Sequence, residues 1–444
     1  MFILRDLFNP LQTAFSDTEK AQERALWFTY TLLAILIPIT CARTSNLLRC
    51  LQSLFSLSIS KRRFYTFMAS PKLPWEKVWK IIWQTIPQPF TKGRLITALD
   101  DSINCKTGKK IFGCQHFFDH AAKANQSRYP WSQNIVTLGL LKQVHGRWCC
   151  LPLGSAFYFM KKTLMQVTVK MGRKPIEFKT KFEQAVDLLT RISNVFMDSP
   201  ILVVTDSWFG NAGLLKPLRL GIGDRVQILS RLRVNAVLYA PLKPGPGKKG
   251  PGRPRKYGAR LGSVADLAAS FQSLAKRYTI SLYGKVREVT AYDQVVLLKT
   301  LRCQVRVVWV FRQTRWIALV TTDLDLSVEQ IIEYYAARWK IEAGFKEIKQ
   351  EIGSAHSQTR NPFAVTHHLQ FCMLATTLVW IYAERLDHTP KRRYANQNRT
   401  EYAFADVRRT MADEIGRPGF VIRCHKLHKP TENTLLQSFM RLVA

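Results

Sequence analysis

The sequence predicts a mixed α/β fold, with a sheet-based core behind a helical N-terminal unit. Three observations carry this. Leucines before residue 90 recur at helical spacing, short apolar runs take over from Leu95, and an amphipathic helical stretch separates two of those runs. At roughly 100–200 residues per domain, 444 residues make room for about two to four domains. A content of 47% hydrophobic and 11% aromatic residues excludes a disordered or collagen-like chain.

Charge narrows the function classes. The chain carries 66 Lys and Arg against 31 Asp and Glu, a net +35. Self-repulsion of that size calls for a polyanionic partner; nucleic acid is the usual one and an anionic membrane surface the other. The nine cysteines (41, 50, 105, 114, 149, 150, 303, 372 and 424) form an odd set with no C-x-x-C pair. That spacing suits neither a zinc knuckle nor a disulfide framework and reads as reduced thiols in a cytosolic compartment. The first residues, MFILRD, do not lead from a basic stretch into an apolar one, so no signal peptide is expected.

Taken in order, residues 1–90 read as helices, with Leu47, Leu48, Leu51, Leu54 and Phe55 at helical spacing. Leu26 to Ala42 is apolar but at the short limit for a membrane span, and reads as a buried helix ending near Pro38. Ser60 is placed to cap a basic aromatic helix, Lys61 to Met68. Helix, turn and basic second helix suit a helix-turn-helix; an ordinary helical bundle with solvated lysines is the alternative.

Strands follow at 94–101, 134–144 and 147–159, a helix at about 177–196, then a buried strand from Pro200 ending at Asp206. After residues 227–233 the Pro- and Gly-rich segment 243–258 holds neither helix nor central strand. It contains Gly252-Arg253-Pro254 flanked by Arg255 and Lys256, which resembles an AT-hook but has Pro251 where an Arg is usual. A flexible loop touching phosphates is the plainer reading. Strands are then expected at 277–284, 286–292, 295–301, 305–311 and 315–322, as an antiparallel insertion. Trp309 and Trp316 within it suit either base stacking or core packing. Leu326-Ser327 opens a long helix running to about Gly353, and the rest of the chain is helical and basic.

Two acids stand at the ends of buried runs, Asp100 after LITAL and Asp206 after ILVVT. A carboxylate there either faces a shared crevice on a fixed backbone or merely caps a turn. Acids in so basic a protein suit Mg2+, a cation that takes oxygen ligands, held against phosphates. In the helix from 328, Tyr335, Arg338, Glu342 and Lys349 fall within an arc of roughly 60° at about 100° per residue. Ala337, Ile341, Phe345, Ile348 and Ile352 make the buried face, whereas Glu347 and Glu351 are expected in solvent. An Arg338–Glu342 ion-pair stripe is the competing reading of the four.

The spacing Y-x2-R-x3-E-x6-K from Tyr335 to Lys349 resembles the signature of the insertion-sequence-four family of bacterial transposases, the YREK group of DDE transposases. LDDS at 99–102 and TDSWFG at 205–210 are similar to that family's first and second acidic motifs. The resemblance implies an RNase H-like mixed sheet core with a β-rich insertion, plus an N-terminal helical DNA-binding domain. The organisation expected is then a DNA-binding domain at 1–90, a core at 91–233 and 327–390, the insertion at 234–326, and a basic C-terminal region at 391–444. By the same resemblance, Asp100, Asp206 and Glu342 would be catalytic and hold two Mg2+ ions, with Mn2+ able to replace them. Asp101 competes with Asp100 for the first position, but successive strand residues face opposite ways. Tyr335, Arg338 and Lys349 would hold DNA phosphates, joined by Lys61, Arg62, Arg63, Arg253 and Arg255. The implied activity is metal-dependent cleavage and transfer of DNA strands at the ends of the protein's own mobile element. The partners would be double-stranded DNA, as terminal inverted repeats and target, and a second copy in a homodimer, in the bacterial cytoplasm at the nucleoid and away from membranes. Two alternatives remain: a non-catalytic DNA-binding descendant of such an enzyme, and a structure-specific nuclease without strand transfer.

Overall fold

The computed structural model describes residues 2–38, 41–242, 256–313, 315–395, 401–417 and 419–420. The DNA-binding candidates Arg253 and Arg255 lie outside the described residues.

Apolar runs punctuated by turns fold into one large mixed sheet. Strand β1 (Leu95–Cys105) is followed by the short β2 (Cys114–His116) and the hairpin of β3 (Trp131–Val144) and β4 (Arg147–Tyr158). Next come β5 (Ile201–Thr205) and β6 (Val226–Arg231). β5 runs parallel to both β1 and β6, while β3 lies antiparallel on the far side of β1. The order β4-β3-β1-β5-β6 thus has three parallel strands flanked by an antiparallel hairpin. The hairpin turns at His145-Gly146, both with positive φ, a conformation available to glycine at no steric cost.

The β-rich interval continues this sheet. It contains β7 (Val237–Tyr239), β8 (Arg260–Ser263), β9 (Lys276–Leu282), β10 (Lys285–Leu298), β11 (Cys303–Arg312) and β12 (Arg315–Thr321). β12 pairs antiparallel with β6, and the path runs on through β11, β10, β7 and β8 to give twelve strands in all. The separate strands expected at 286–292 and 295–301 are one, β10, because Asp293 and Gln294 keep their ladder positions opposite Val308 and Val307. Asp293 is held there by Arg306 at 2.8 Å.

Helices cover both faces. The N-terminal unit comprises α1 (Ile3–Gln12), α2 (Glu19–Leu36), α3 (Thr44–Arg49) with its wide last turn Cys50–Leu54, α4 (Lys61–Met68) and α5 (Trp75–Thr85). Ser60 caps α4 as expected, accepting from the Arg63 amide. Then follow α6 (Lys161–Gln166), α7 (Lys181–Ser193), α8 (Ala212–Ile222) and α9 (Val264–Phe271). The last are α10 (Val328–Ala337), α11 (Trp339–Lys346), α12 (Pro362–Arg385) and α13 (Phe404–Ile415).

Alternation along β1 divides the core. Leu95 and Leu99 join the larger cluster, with the N-terminal helices, α7, α8 and α12. Ile96 and Ala98 join the second cluster, under α10 and α11. The N-terminal helices share the larger core with α12: Phe28, Trp75 and Phe67 meet Phe371 at 4.8, 4.8 and 6.4 Å between ring centroids. Among the described residues α12 is the one helix long and apolar enough to cross a membrane, but 89% of its apolar window is buried inside the protein. α2 ends at Leu36, just ahead of Pro38, and is buried from Ala25 onward. All eight described cysteines are free thiols.

Two buried histidines fasten α12 to the N-terminal unit. His367 Nδ1 lies 2.8 Å from the Met68 carbonyl and His368 Nε2 2.6 Å from that of Ala42. Burial holds both neutral, pulling each from 6.5 to about 4 against the carbonyl contacts, which favour the charged ring. The unfolded chain therefore binds more protons between those values, so this stabilisation is complete above pH 6.5 and lost as pH falls towards 4. Each histidine accounts for up to about 3 kcal/mol over that window. Asp100 and Glu347, which burial pushes up to about 7, act with the opposite sign. Urea unfolding of His368→Gln isolates one contribution: the variant should lose less stability than the parent between pH 6.5 and 5. Equal slopes would show that His368 is not held neutral.

Candidate active site

Asp100 follows Ala98 on the β1 face that meets α10 and α11, so period-two alternation aims it at the helix carrying Glu342. Its Oδ2 accepts from Arg338 at 3.2 Å and its Oδ1 from the Asp101 amide at 2.8 Å. Asp101 points the other way. Its Oδ2 accepts from Asn134 and from Lys181, at the start of α7, both at 2.8 Å.

Asp206 follows the last residue of β5, the parallel neighbour of β1. Its Oδ1 accepts from the amides of Trp208 and Phe209, both at 3.0 Å, which fixes the turn leaving the strand. Gly210 is required here. A Cβ at this position would overlap the Ser230 side chain, which reaches across from β6 to donate to the Asp206 carbonyl at 2.7 Å.

The helix expected from 328 to 353 is interrupted. α10 ends at Ala337, Arg338 lies between α10 and α11, and a wide-turned segment, Glu347–Ile352, follows α11. Ser327 caps the start with a capping box. Arg338 bridges two acids, donating to Glu342 Oε1 at 2.9 Å as well as to Asp100. Its guanidinium also lies 5.7 Å from the Tyr335 ring centre. Tyr335 lies within electrostatic reach of Asp206 and of Arg231, the last residue of β6, and burial raises its phenol pKa.

Lys349 departs from the expected arc. Its amine pKa, lowered by burial, responds to Cys105, the last residue of β1, and to Asp119 in the loop after β2. Five residues of strand between Asp100 and Cys105 correspond to about 17 Å. The wide turns after Lys346 advance the chain by fewer degrees per residue than an α-helix, which rotates Lys349 away from Glu342. The same segment corrects the expectation for Glu347. It is half-buried, accepts from the Trp380 indole at 3.3 Å, and is pushed up to about 7 by burial despite Arg147. α12 covers the face that a lone helix would have left to solvent.

Burial pushes the Asp100 carboxyl up to about 7; Arg338 opposes the shift and Asp206 adds to it. Among the described residues, neither Asp206 Oδ2 nor Glu342 Oε2 has a hydrogen-bond partner. A hard divalent cation suits such donors. Among the described residues no three His, Cys, Asp or Glu side chains gather closely enough to hold a metal ion. The charge between Asp100 and Glu342 is instead that of Arg338. The oxygen donors of Asp100, Asp206 and Glu342 would suit a divalent cation, and in this structure Arg338 supplies the positive charge shared by Asp100 and Glu342.

The other candidates scatter. Lys61 and Arg62 are exposed on α4, whereas Arg63 is paired with Glu23 on α2 at 2.7 Å and lies over the Trp27 ring. Trp309 is fully buried, its indole donating to the Val264 carbonyl at 3.1 Å, so it packs the core. Trp316 instead lines a cavity of about 190 Å³ beside Tyr335, Arg338 and Trp339. Sequence reasoning missed Arg231 and Lys181. Arg231 shares the strand-end position that flagged the two acids; for Lys181 no signal preceded the fold.

Two adjacent parallel strands with an acid just beyond their last paired residues, Leu99 and Thr205, an antiparallel hairpin beside them, and a third acid on a helix across the sheet make a large mixed α/β sheet consistent with an RNase H-like DDE domain. Residues 19–295, more than half of the chain, match the DDE superfamily endonuclease family, and the chain belongs to it. The matched region contains Asp100 and Asp206 and ends before Glu342. Membership implies a transposase-like nuclease that uses a divalent metal. No curated protein gives a significant match to the chain.

Proposed function

We propose that the protein is a transposase of the insertion-sequence-four type, cleaving and rejoining DNA strands at the ends of its own mobile element. The observation that carries this reading is the linkage of Asp100 and Glu342 through one guanidinium, with the Asp206 carboxylate acting on Asp100 from the next strand. Asp100, Asp206 and Glu342 are the residues that would hold Mg2+, two ions in all, or Mn2+ in its place. Bound there, the metal supplies Lewis-acid stabilisation of the attacking and leaving oxygens of an in-line displacement at phosphorus.

The chain's own residues position the substrate. Arg338 presents a planar donor fork suited to a DNA phosphate once it releases the carboxylates, and Tyr335 braces that fork. Lys349, in the wide-turned segment near the far end of β1, would act on a more distant phosphate as a point charge. Trp316, beside Tyr335 and Arg338, is placed to stack on an exposed base, a role its buried neighbour Trp309 cannot share. Double-stranded DNA is the substrate and a homodimer the working unit, since paired element ends require two sites.

Incubating the protein with its flanking genomic DNA and Mg2+ tests the reading. Strand breaks at the element ends, followed by joining to a target duplex, are expected. Breaks without joining would indicate a structure-specific nuclease. The Arg338 cation between the two acids favours a second reading, a DNA-binding protein that no longer cuts, and binding with no breaks in Mg2+ or Mn2+ would establish it.

A further inference from the structure

A cavity of about 930 Å³ lies away from the carboxylates, between α4 and the segment leading into α12. Five cations from five separate stretches of chain line it: Arg24 on α2, Arg43 before α3, Arg62 on α4, Lys72 after α4, and Arg360 before α12. No carboxylate lines it, and among the described residues none of the five has an ion-pair partner. Four of them are exposed and Arg24 is half-buried. By contrast, Arg63, next to Arg62, is neutralised by Glu23. Unscreened positive charge held together by folding needs an anion, and hydroxyl donors from Thr66, Ser70 and Thr359 sit among the cations.

The groove is tied to the catalytic strand. Lys106, immediately after β1, is buried and donates to the carbonyls of Ser354, Ala355 and Ser357 at 3.2, 2.8 and 3.0 Å. These three carbonyls anchor the loop that continues through Arg360 as the groove wall. Six strand residues separate Lys106 from Asp100, about 20 Å.

We infer that this groove seats the backbone of double-stranded DNA flanking the cut, in a register that Lys106 sets relative to Asp100. The inference rests on the DNA-cutting reading above and assigns to that substrate a second site, built by the N-terminal helices and the α12 approach together.

The test compares two triple variants of the full chain, titrated with a duplex of flanking genomic DNA from 50 to 200 mM salt. Arg43→Gln, Lys72→Gln and Arg360→Gln remove three exposed groove cations. Lys276→Gln, Arg277→Gln and Lys285→Gln remove three exposed cations from the β9–β10 hairpin, matching the change in net charge. The groove variant should flatten the slope of log K against log salt by about 2–3, at roughly 0.9 per lost phosphate contact. It should also lose protection of the duplex beside the cut, while its urea midpoint stays that of the parent. The hairpin variant should change the slope by less than one. An unchanged slope in the groove variant, or equal flattening in both, overturns the inference. Cleavage by the parent is scored separately: a parent that cuts while the groove variant binds normally refutes the groove alone, and a parent that binds through the groove without cutting refutes the enzyme alone.

Discussion

Glu342→Gln should lower Mg2+-dependent strand cleavage by about 10³-fold or more while leaving DNA affinity equal or slightly higher. The substitution keeps the volume and the bond to Arg338 but removes an anionic oxygen, and the stabilisation a ligated metal gives the transition state amounts to several kcal/mol. One negative charge fewer cannot weaken attraction for a polyanion. Glu347 is unsuitable as the control, since it is half-buried against Trp380. Glu351 is exposed, and Glu351→Gln should cleave like the parent. Rates from single-turnover cleavage and affinities from filter binding decide the matter. Undiminished cleavage by Glu342→Gln, or equal loss in Glu351→Gln, would remove this helix from the active site.

Arg338→Ala should destabilise the metal-free protein by about 2–4 kcal/mol, and Mg2+ should restore most of that loss. The Arg338 side chain is 11% exposed and pairs with two acids, so its removal leaves both uncompensated in a partly buried setting. A divalent cation provides the missing charge. In the parent, the same ion has to compete with the guanidinium, so added Mg2+ should raise the urea midpoint of the variant more than that of the parent. Equal shifts, or a variant as stable as the parent without metal, would mean that Arg338 does not hold the cation position.

How much of this was legible beforehand differs from residue to residue. The placement of Asp100 and Asp206 directly after buried apolar runs was readable from the first polar residue of each run, but only Asp206 stands at a strand end, because β1 continues through Asp100 to Cys105 in its ladder with β3. The i,i+4 pairing of Arg338 with Glu342 was readable because helical neighbours on one face depend only on spacing. Period-two alternation likewise implied that Asp100 and Asp101 face apart. Which of them meets the helix depended on which sheet face α10 and α11 cover, and that is a packing choice. Lys349 and Glu347 were misplaced for a different reason. A uniform 100° per residue assumes an unbroken α-helix, whereas the chain breaks at Arg338 and takes wide turns after Lys346, where it packs against α12.

Local chemistry, then, determined from the sequence alone the mixed α/β class, the net +35, the two acids that follow buried apolar runs and the helical stretch bearing the third. Those properties depend on side-chain type and short-range periodicity, which one stretch of chain contains in full. The tertiary structure decided the rest. It extended the sheet through β12, divided β1 between two cores, set one guanidinium between Asp100 and Glu342, and gathered Arg24, Arg43, Arg62, Lys72 and Arg360 into one groove. Residues hundreds of positions apart meet only because burying apolar faces brings their elements together, and no local pattern encodes that meeting.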